Sequence, residues 1–145
     1  MDKIEMIPIV IDTNVYLSAL LFAGTPGKLI PLWKSGKIHP QVNKKIVAEL
    51  LRVMSYPKFE LTEKEIQYLL YVEILPFCNV VPTKSGPDII AEDPSDDIFL
   101  HCCQVAGARA LISGDHHLLA LKFWENTPIL TPSQFLKKFH NELSS

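Results

Sequence analysis

The sequence is poor in cysteine, and the arrangement of its three cysteines excludes two classes of small domain. Cys102 and Cys103 are adjacent, Cys78 stands alone, and no two cysteines have the C-x-x-C spacing. An odd count in this arrangement argues against a disulfide framework and against a structural zinc site. We therefore expect a protein of a reducing, cytoplasmic compartment.

The chain also lacks long apolar runs and a strong charge of either sign. Asp2 and Glu5 stand where a secretory signal needs basic residues, and the apolar run that follows is too short to span a bilayer. The formal net charge of −2 provides no overall basic field, so nucleic-acid binding would require a local patch. We expect a soluble protein without a membrane partner.

What the chain does contain is the composition of one globular domain, residues 1–145, with 48% hydrophobic and 21% charged residues. Strand-like and helix-like segments alternate along it, which is typical of a parallel sheet flanked by helices. The predicted strands are 7–11, 37–42, 77–81, 108–113 and 128–131. The predicted helices are 15–22, 27–34, the segment between Asn43 and Ser55, 62–75, 98–106, 116–123 and 133–142. The predicted fold class is α/β, a single three-layer domain with about five parallel strands.

Three local features refine this prediction. Thr13 and Asn14 carry side-chain oxygens that can cap the first helix. Pro40 lacks a backbone N–H, so the strand that contains it is expected at a sheet edge or at its own end. Phe123 and Trp124 follow a helical segment and are expected in the core.

Two predicted strands end on an aspartate. Asp12 follows the apolar strand 7–11, and Asp115 follows the strand 108–113 and Gly114. Each could cap the helix that comes next, which would stabilise that helix by about 1 kcal/mol. Ligand sites of parallel α/β sheets form at the carboxyl ends of strands, so both carboxylates are also candidate ligands.

Glu49 lies at the border of the apolar stripe of the third predicted helix. Lys45 and Arg52 flank it on the outer side. An ion pair with either would contribute only about 0.3–0.5 kcal/mol. Taken alone, the pattern favours this structural role over a functional one.

The segment before the fifth predicted helix is rich in aspartate, with Asp93, Asp96 and Asp97 within five residues. Acids in a first helical turn interact favourably with the helix dipole, but a cluster of like charges repels itself unless a cation is bound. Carboxylates are hard oxygen ligands suited to Mg²⁺ or Mn²⁺. Together with Asp12 and Asp115, these residues predict a divalent-metal site.

Four segments occur in an order that resembles a known family. They are Ile9-Val10-Ile11-Asp12-Thr13-Asn14, a mid-chain helical Glu49, Asp93-Pro94-Ser95-Asp96-Asp97-Ile98-Phe99-Leu100 and Leu111-Ile112-Ser113-Gly114-Asp115. Over residues 7–139 the chain resembles the PIN domain, the nuclease fold of VapC-type toxins. The resemblance implies metal-dependent cleavage of RNA by a parallel sheet of about five strands, and it is strongest to the toxins of toxin–antitoxin pairs.

The resemblance also implies roles for individual residues. The catalytic acids would be Asp12, Glu49, Asp97 and Asp115. Of these, Asp12, Asp97 and Asp115 would hold Mg²⁺ or Mn²⁺, and Glu49 would bind through water or orient the attacking hydroxide. The supporting residues would be Asn14, Ser113 and Asp93.

The choice of the third acid rests on its position. Asp93 and Asp96 compete with Asp97 for that role. We choose Asp97 because it precedes the apolar pair Phe99-Leu100.

The implied partners are an RNA substrate, an antitoxin protein and a second copy of the chain. The segment from Ile66 to Ile74 is apolar nearly all round, which fits a helix covered by a partner or one enclosed within a monomer. The middle third of the chain is its most basic part and could be an RNA-tracking surface or an ordinary solvated helix face. Its basic and aromatic residues are Trp33, Lys34, Lys37, Lys44, Lys45, Arg52, Tyr56, Lys58 and Phe59.

Two other functions remain open at this point. One is a PIN-fold module that binds nucleic acid or protein without catalysis. The other is phosphoryl transfer, as in haloacid-dehalogenase-like phosphatases, which also have an acid at the end of the first strand. Those enzymes use Asp-x-Asp, and here Asn14 stands in the place of the second aspartate.

Overall fold

The fold is described from a computed structural model, in which residues 6–22, 24–83 and 97–144 are described. The strands are β1 Ile7–Ile11, β2 Ile38–Val42, β3 Asn79–Val80, β4 Ala110–Ile112, β5 Phe123–Trp124 and β6 Thr127–Leu130. The α-helices are α1 Thr13–Leu21, α2 Leu29–Lys34, α3 Lys44–Met54, α4 Glu63–Tyr68, α5 Asp97–Ala106, α6 His116–Leu121, α7 Pro132–Lys138 and α8 His140–Leu143. Short 3₁₀ segments cover Thr25–Lys28, Pro57–Phe59 and Leu75–Phe77, and a π-helical segment covers Leu69–Ile74.

The strands form one sheet in the order β3-β2-β1-β4-β6-β5. All neighbouring pairs are parallel except β5 and β6. Helices pack against this sheet, among them α5 against β1 and β4 and α7 against β4 and β6. The predicted three-layer α/β fold with a parallel sheet is therefore confirmed, with one strand more than expected.

Strand β1 lies at the centre of the sheet, between β2 and β4. Ile9, Val10 and Ile11 are almost completely buried because the sheet is covered on both faces. Ile9 is paired with both neighbours, and Ile11 is paired with Ile112 of β4. The residue after β1 is thereby fixed at the carboxyl edge of the sheet.

Helix α3 follows the sequence pattern closely. The Asn43 side chain accepts a hydrogen bond of 2.9 Å from the backbone N–H of Ile46, which caps the helix as predicted. The apolar stripe of this helix is buried against the core: Ile46, Leu50, Val53 and Met54.

The predicted helix 62–75 is divided into two parts. Thr62 and Glu65 form the predicted capping box at its start, but α4 gives way to the π-helical segment at Leu69. The wider π turns keep residues four apart on nearly the same face, so Leu70 and Ile74 are both buried. Tyr71 on the opposite side is exposed, so this segment is not enclosed within the chain.

The prediction that Pro40 lies in an edge strand or at the end of its strand was wrong. Strand β2 lies between β3 and β1, and is not an edge strand. However, β3 pairs only with Gln41 and Val42. Pro40 therefore precedes the part of β2 that β3 covers, and its missing N–H is tolerated there.

The end of the predicted helix 116–123 was also wrong. Helix α6 ends at Leu121, and Phe123 belongs to β5, which forms a short antiparallel hairpin with β6. Lys122 has a φ of 63°, a backbone conformation that interrupts the helix. Phe123 is 58% exposed and is not a core residue, whereas Trp124 is half-buried against the core.

Among the described residues, no single helix is long and apolar enough to cross a membrane. Only two helical segments taken together, Thr13–Leu21 and Thr25–Lys34, reach the required length and composition, and they are bent by 89°.

Candidate active site

The two strand-ending aspartates are brought to one edge of the sheet. Strands β1 and β4 are parallel neighbours, and the backbone N–H of Asp12 donates a 2.9 Å hydrogen bond to the carbonyl of Ile112. Asp115 follows β4 by three residues. The predicted meeting of these residues at the carboxyl edge is therefore observed.

Ser113 connects the two aspartates directly. Its hydroxyl donates a 2.7 Å hydrogen bond to Oδ2 of Asp12 and accepts a 3.0 Å hydrogen bond from the backbone N–H of Asp115. Ser113 is completely buried. One hydroxyl thus fixes the carboxylate after β1 relative to the backbone after β4.

The Asp12 carboxylate lies in an environment that disfavours its charge. It is only 6% exposed, and this burial raises its pKa above the ordinary aspartate value. The Ser113 hydrogen bond and the N–H of Asn14 lower the pKa, while the negative charge of Asp115 raises it again. A cation at this position would relieve both the burial and the repulsion.

Asp12 itself occupies the N-cap position of α1, and the predicted cap residues do not. The helix begins at Thr13, two residues earlier than expected, and the Asp12 side chain makes no capping hydrogen bond. Nearby N–H groups favour its charged form without reaching the geometry of a cap. Within the described residues, the buried hydroxyl of Thr13 has no hydrogen-bond partner.

Asp115 does cap a helix. Its Oδ1 accepts hydrogen bonds from the backbone N–H groups of His117 at 2.8 Å and Leu118 at 3.3 Å, at the start of α6. The structural role that the sequence allowed for Asp115 is therefore observed. Within residues 6–22, 24–83 and 97–144, these bonds use only Oδ1 of Asp115, so Oδ2 can take a ligand.

An open cleft of about 340 Å³ lies at this edge. Asn14 near the start of α1, Asp115 before α6 and Pro132 at the start of α7 all line it. Three helices therefore begin at the cleft, and their N-terminal ends carry partial positive charge that favours anions. Asp12 and Ser113 are buried beside it.

Asp97 is the first residue of α5 and is 3% exposed. Since α5 packs against β1 and β4, Asp97 is held on an element that contacts both site strands. Asp93 and Asp96, its predicted competitors, lie outside the described residues.

Glu49 is engaged elsewhere. Its carboxylate forms two hydrogen bonds with Arg52, of 2.6 and 3.1 Å, and its side chain is 19% exposed. No hydrogen bond or ion pair between described residues joins Glu49 to Asp12, Asp97 or Asp115. The surface ion pair that the helix pattern favoured is thus observed.

The donor set suits a hard divalent cation, although the side chains are not arranged as a closed cage. Among residues 6–22, 24–83 and 97–144, no group of three or more His, Cys, Asp or Glu side chains is placed to hold a metal ion. Mg²⁺ is commonly bound by one or two carboxylates, waters and substrate phosphates. The mutually repelling carboxylates of Asp12 and Asp115 fit that mode of binding.

Part of the basic middle third of the chain is committed to internal contacts. Trp33 is buried and donates its indole N–H to the carbonyl of Glu73, and Lys34 pairs with the Glu73 carboxylate at 2.6 Å. Lys37 donates to the carbonyl of Leu143 at 2.7 Å. Both interpretations of this part of the chain, an RNA-tracking surface and a solvated helix face, still apply to its exposed residues Lys44, Lys45, Arg52, Tyr56 and Lys58.

Two polar residues of the cleft were not singled out from the sequence. Ser18 lines the cleft because it follows Asn14 by one helical turn on α1. His116 also lines it as the first residue of α6. The i, i+4 relation of Asn14 and Ser18 was the available signal.

Replacing Ser113 with alanine is expected to lower the free energy of unfolding by about 1–3 kcal/mol, because a buried carboxylate loses its donor. Urea denaturation monitored by circular dichroism would measure the change. Ser133→Ala, at an exposed position of α7, is the matched control and should be nearly neutral. Equal effects of the two changes would show that the Ser113 bridge does not stabilise the fold.

Comparison with known proteins identifies the family to which the chain belongs. The model of the PIN domain family matches residues 8–117. The uncharacterized protein MJ1680 of Methanocaldococcus jannaschii is 28% identical over 157 residues, covering 99% of this chain and 100% of that protein. Among solved structures, the PIN domain endonuclease Utp24 is similar with a TM-score of 0.51 and 15% identity, covering 86% of this chain and 84% of that one. With the family model spanning most of the chain and the fold agreeing, this chain belongs to the PIN domain family.

Proposed function

We propose that the protein is a metal-dependent endoribonuclease that hydrolyses RNA phosphodiester bonds. The observation that carries this proposal is the buried Asp12 carboxylate, bound by Ser113 and repelled by Asp115 at the carboxyl edge of the sheet. Burying a charged carboxylate costs free energy of folding, and a bound cation or substrate would offset that cost. The similar fold of the PIN domain endonuclease Utp24 supports the same reaction class.

The residues present have distinct roles in this proposal. Asp12, Asp97 and Asp115 would hold Mg²⁺ or Mn²⁺, directly or through bound waters, and the ion would supply an activated water and neutralise charge on the phosphate. Ser113 orients Asp12 and favours its ionised form. The helix N-terminus at Asn14 attracts the anionic phosphodiester.

Glu49 has a separate proposed role, which is to orient the attacking water and accept its proton. The Arg52 guanidinium forms two hydrogen bonds with this carboxylate and holds it in place. The water oxygen forms a bond to phosphorus as the bond from phosphorus to the 3′ oxygen breaks. The products are a 5′-phosphate and a 3′-hydroxyl.

Purified protein is expected to cleave unstructured and hairpin RNAs with Mn²⁺ or Mg²⁺ and to be inactive in EDTA. The chemical groups at the ends of the RNA fragments show whether a contaminating ribonuclease made the cuts. Hydrolysis by water leaves 5′-phosphates, whereas a contaminating metal-independent ribonuclease that uses the 2′-hydroxyl leaves 2′,3′-cyclic phosphates. Mass spectrometry of the fragments distinguishes the two.

The absence of 5′-phosphate products at every metal condition would contradict the proposal. If calorimetry then detected Mn²⁺ binding without cleavage, the protein would be a metal-binding module of the PIN fold. If small phosphate esters were hydrolysed instead, the phosphatase alternative would replace it.

We further propose that this ribonuclease is the toxin of a toxin–antitoxin pair and acts in the cytoplasm. An exposed apolar surface on the α4 and π-helical segments, formed by Tyr68, Tyr71 and Val72, supports an antitoxin or a second copy as partner. Growth arrest on expression in a bacterium, relieved by Asp12→Asn, would support the toxin role. Normal growth with abundant active protein would contradict it.

A further inference from the structure

A second groove, of about 590 Å³, lies at the C-terminal end of α6, where Leu119 and Lys122 line it. It runs between α6, the β5–β6 hairpin and α7. Leu119, Pro128 and Ile129 contribute apolar surface to it, and Lys122, Lys137 and Lys138 contribute charge. The groove combines an apolar wall with basic side chains from two different helices.

The charge of this groove is of one sign. Its lining contains three lysines and neither aspartate nor glutamate. All three lysines are exposed, and none forms an ion pair with another residue in the described part of the chain. A lysine near a helix C-terminus interacts favourably with the helix dipole. That interaction does not require the lysines of two helices to lie at one groove. The groove is therefore complementary to an anionic partner.

Lys122 is held at this groove by a strained backbone. Its φ of 63° with ψ of −46° is a conformation in which glycine would be more stable. Its carbonyl accepts a 2.8 Å hydrogen bond from the N–H of Ile129 in β6, so the residue is fixed and not part of a loose loop. A side chain kept at a strained position suggests a use for that side chain.

Both helices that border the groove begin at the candidate active site. Helix α6 starts after Asp115 and ends before Lys122, and α7 starts at Pro132 and ends at Lys138. Asp115 and Pro132 line the active-site cleft. Helix α6 has six residues and spans about 9 Å, so the cleft and the groove are a few nucleotides apart at most.

We propose that this groove binds single-stranded RNA on one side of the bond that is cleaved. Its placement relative to the cleaved bond rests on the proposed ribonuclease function. The lysines contact phosphates, and the 58% exposed ring of Phe123 offers a surface on which a base can stack. Continuity with the site that would cleave RNA favours this occupant over an acidic peptide.

The test is binding of a fluorescein-labelled oligouridine in EDTA, measured by fluorescence anisotropy, so that cleavage does not interfere. The triple variant Lys122→Gln, Lys137→Gln, Lys138→Gln is expected to bind at least about tenfold more weakly. Its slope of log affinity against log salt should fall by about 2, because each phosphate contact contributes about 0.7. The comparison variant Lys44→Gln, Lys58→Gln, Lys64→Gln removes the same charge from exposed positions in the middle of the chain. Its affinity should change by less than about twofold, because the RNA binds the groove and not that surface.

Two single variants separate binding from folding. Phe123→Ala should weaken binding several-fold without altering the salt slope, because stacking carries no charge. Lys122→Gly should weaken binding while leaving the melting temperature equal or higher, because glycine relieves the backbone strain. A loss of binding caused by misfolding would lower the melting temperature instead.

The outcomes distinguish this inference from the proposed function. If the wild type cleaves RNA but both triple variants bind oligouridine equally, the groove inference is overturned and the ribonuclease remains. If the groove variant loses binding while no cleavage occurs, the groove is an RNA-binding site and the ribonuclease proposal fails. If polyglutamate binds the groove and oligouridine does not, the occupant is an acidic peptide and the RNA inference is overturned.

Discussion

Asp12→Asn is expected to lower the rate of metal-dependent RNA cleavage by at least about a hundredfold. Changes of residues that merely orient a metal ligand commonly cost about 10–100-fold, so loss of the ligand's own charge should cost at least the upper value. The amide is nearly the same size and can still accept a hydrogen bond from Ser113. Initial rates on one labelled RNA, compared at saturating Mn²⁺, would measure the loss.

The same substitution should have the opposite effect on stability. In EDTA the pKa of Asp12 is raised by burial, so the folded protein holds this proton more tightly than the unfolded chain. The contribution of Asp12 to stability therefore falls as pH rises from the ordinary aspartate range through the raised pKa, and it is constant above that. Asp12→Asn removes this loss and should raise the melting temperature at neutral pH.

Glu60→Gln is the control for this pair of measurements, since Glu60 is exposed and lies outside the cleft. It should change neither rate nor melting temperature appreciably. An Asp12→Asn protein that cleaves RNA at the wild-type rate would contradict the role of Asp12. A less stable and inactive variant would indicate a folding defect instead.

Asp97→Asn is expected to reduce cleavage by a similar factor and to weaken stabilisation by Mn²⁺. A ligand that binds only the folded state raises the melting temperature by an amount that grows with the logarithm of its affinity. Asp97 is 3% exposed at the start of α5, the helix that packs against both site strands β1 and β4. Thermal unfolding with and without Mn²⁺, together with cleavage rates, would measure both effects.

Asp93→Asn and Asp96→Asn are the matched comparisons, because each removes one carboxylate from the same acidic segment. We expect both to retain most of the activity and most of the Mn²⁺ stabilisation. If either variant lost more than Asp97→Asn, the third acid would have to be reassigned to that residue.

The sequence was most informative where one physical requirement dominated. The apolar run 7–11 had to be a strand covered on both faces, and it is the central strand β1. Asn43 and the stripe beginning at Ile46 specified helix α3 together with its buried face. The edge that joins Asp12 and Asp115 followed from parallel topology.

The sequence was less informative where a residue had two available roles. Asp115 could cap a helix or bind a ligand, and the structure gives it the first role without removing the second. Glu49 pairs with Arg52, a local contact that a helix offers at spacing i, i+3. No sequence rule decides between a local partner and a distant one until the fold brings the distant one close.

A basic surface away from the middle third could not be predicted from the sequence for a similar reason. Counting lysines along the chain pointed to the middle third, where Lys34 and Lys37 are occupied by Glu73 and a backbone carbonyl. Lys122 and Lys138 are sixteen residues apart in sequence and meet at one groove only through the fold. The exposure of Phe123 depended on the β5–β6 hairpin, which a positive φ at Lys122 initiates.

Helix α6 is tied to the sheet at both of its ends. Before its first turn, the N–H of Asp115 donates to Ser113, and after its last turn Lys122 accepts a hydrogen bond from Ile129. A short helix fixed in this way keeps a constant length between the carboxylate edge and the groove. In a ribonuclease that binds RNA at both places, α6 would fix the distance between the cleavage site and the groove. Cuts would then fall at a set number of nucleotides from the bound segment.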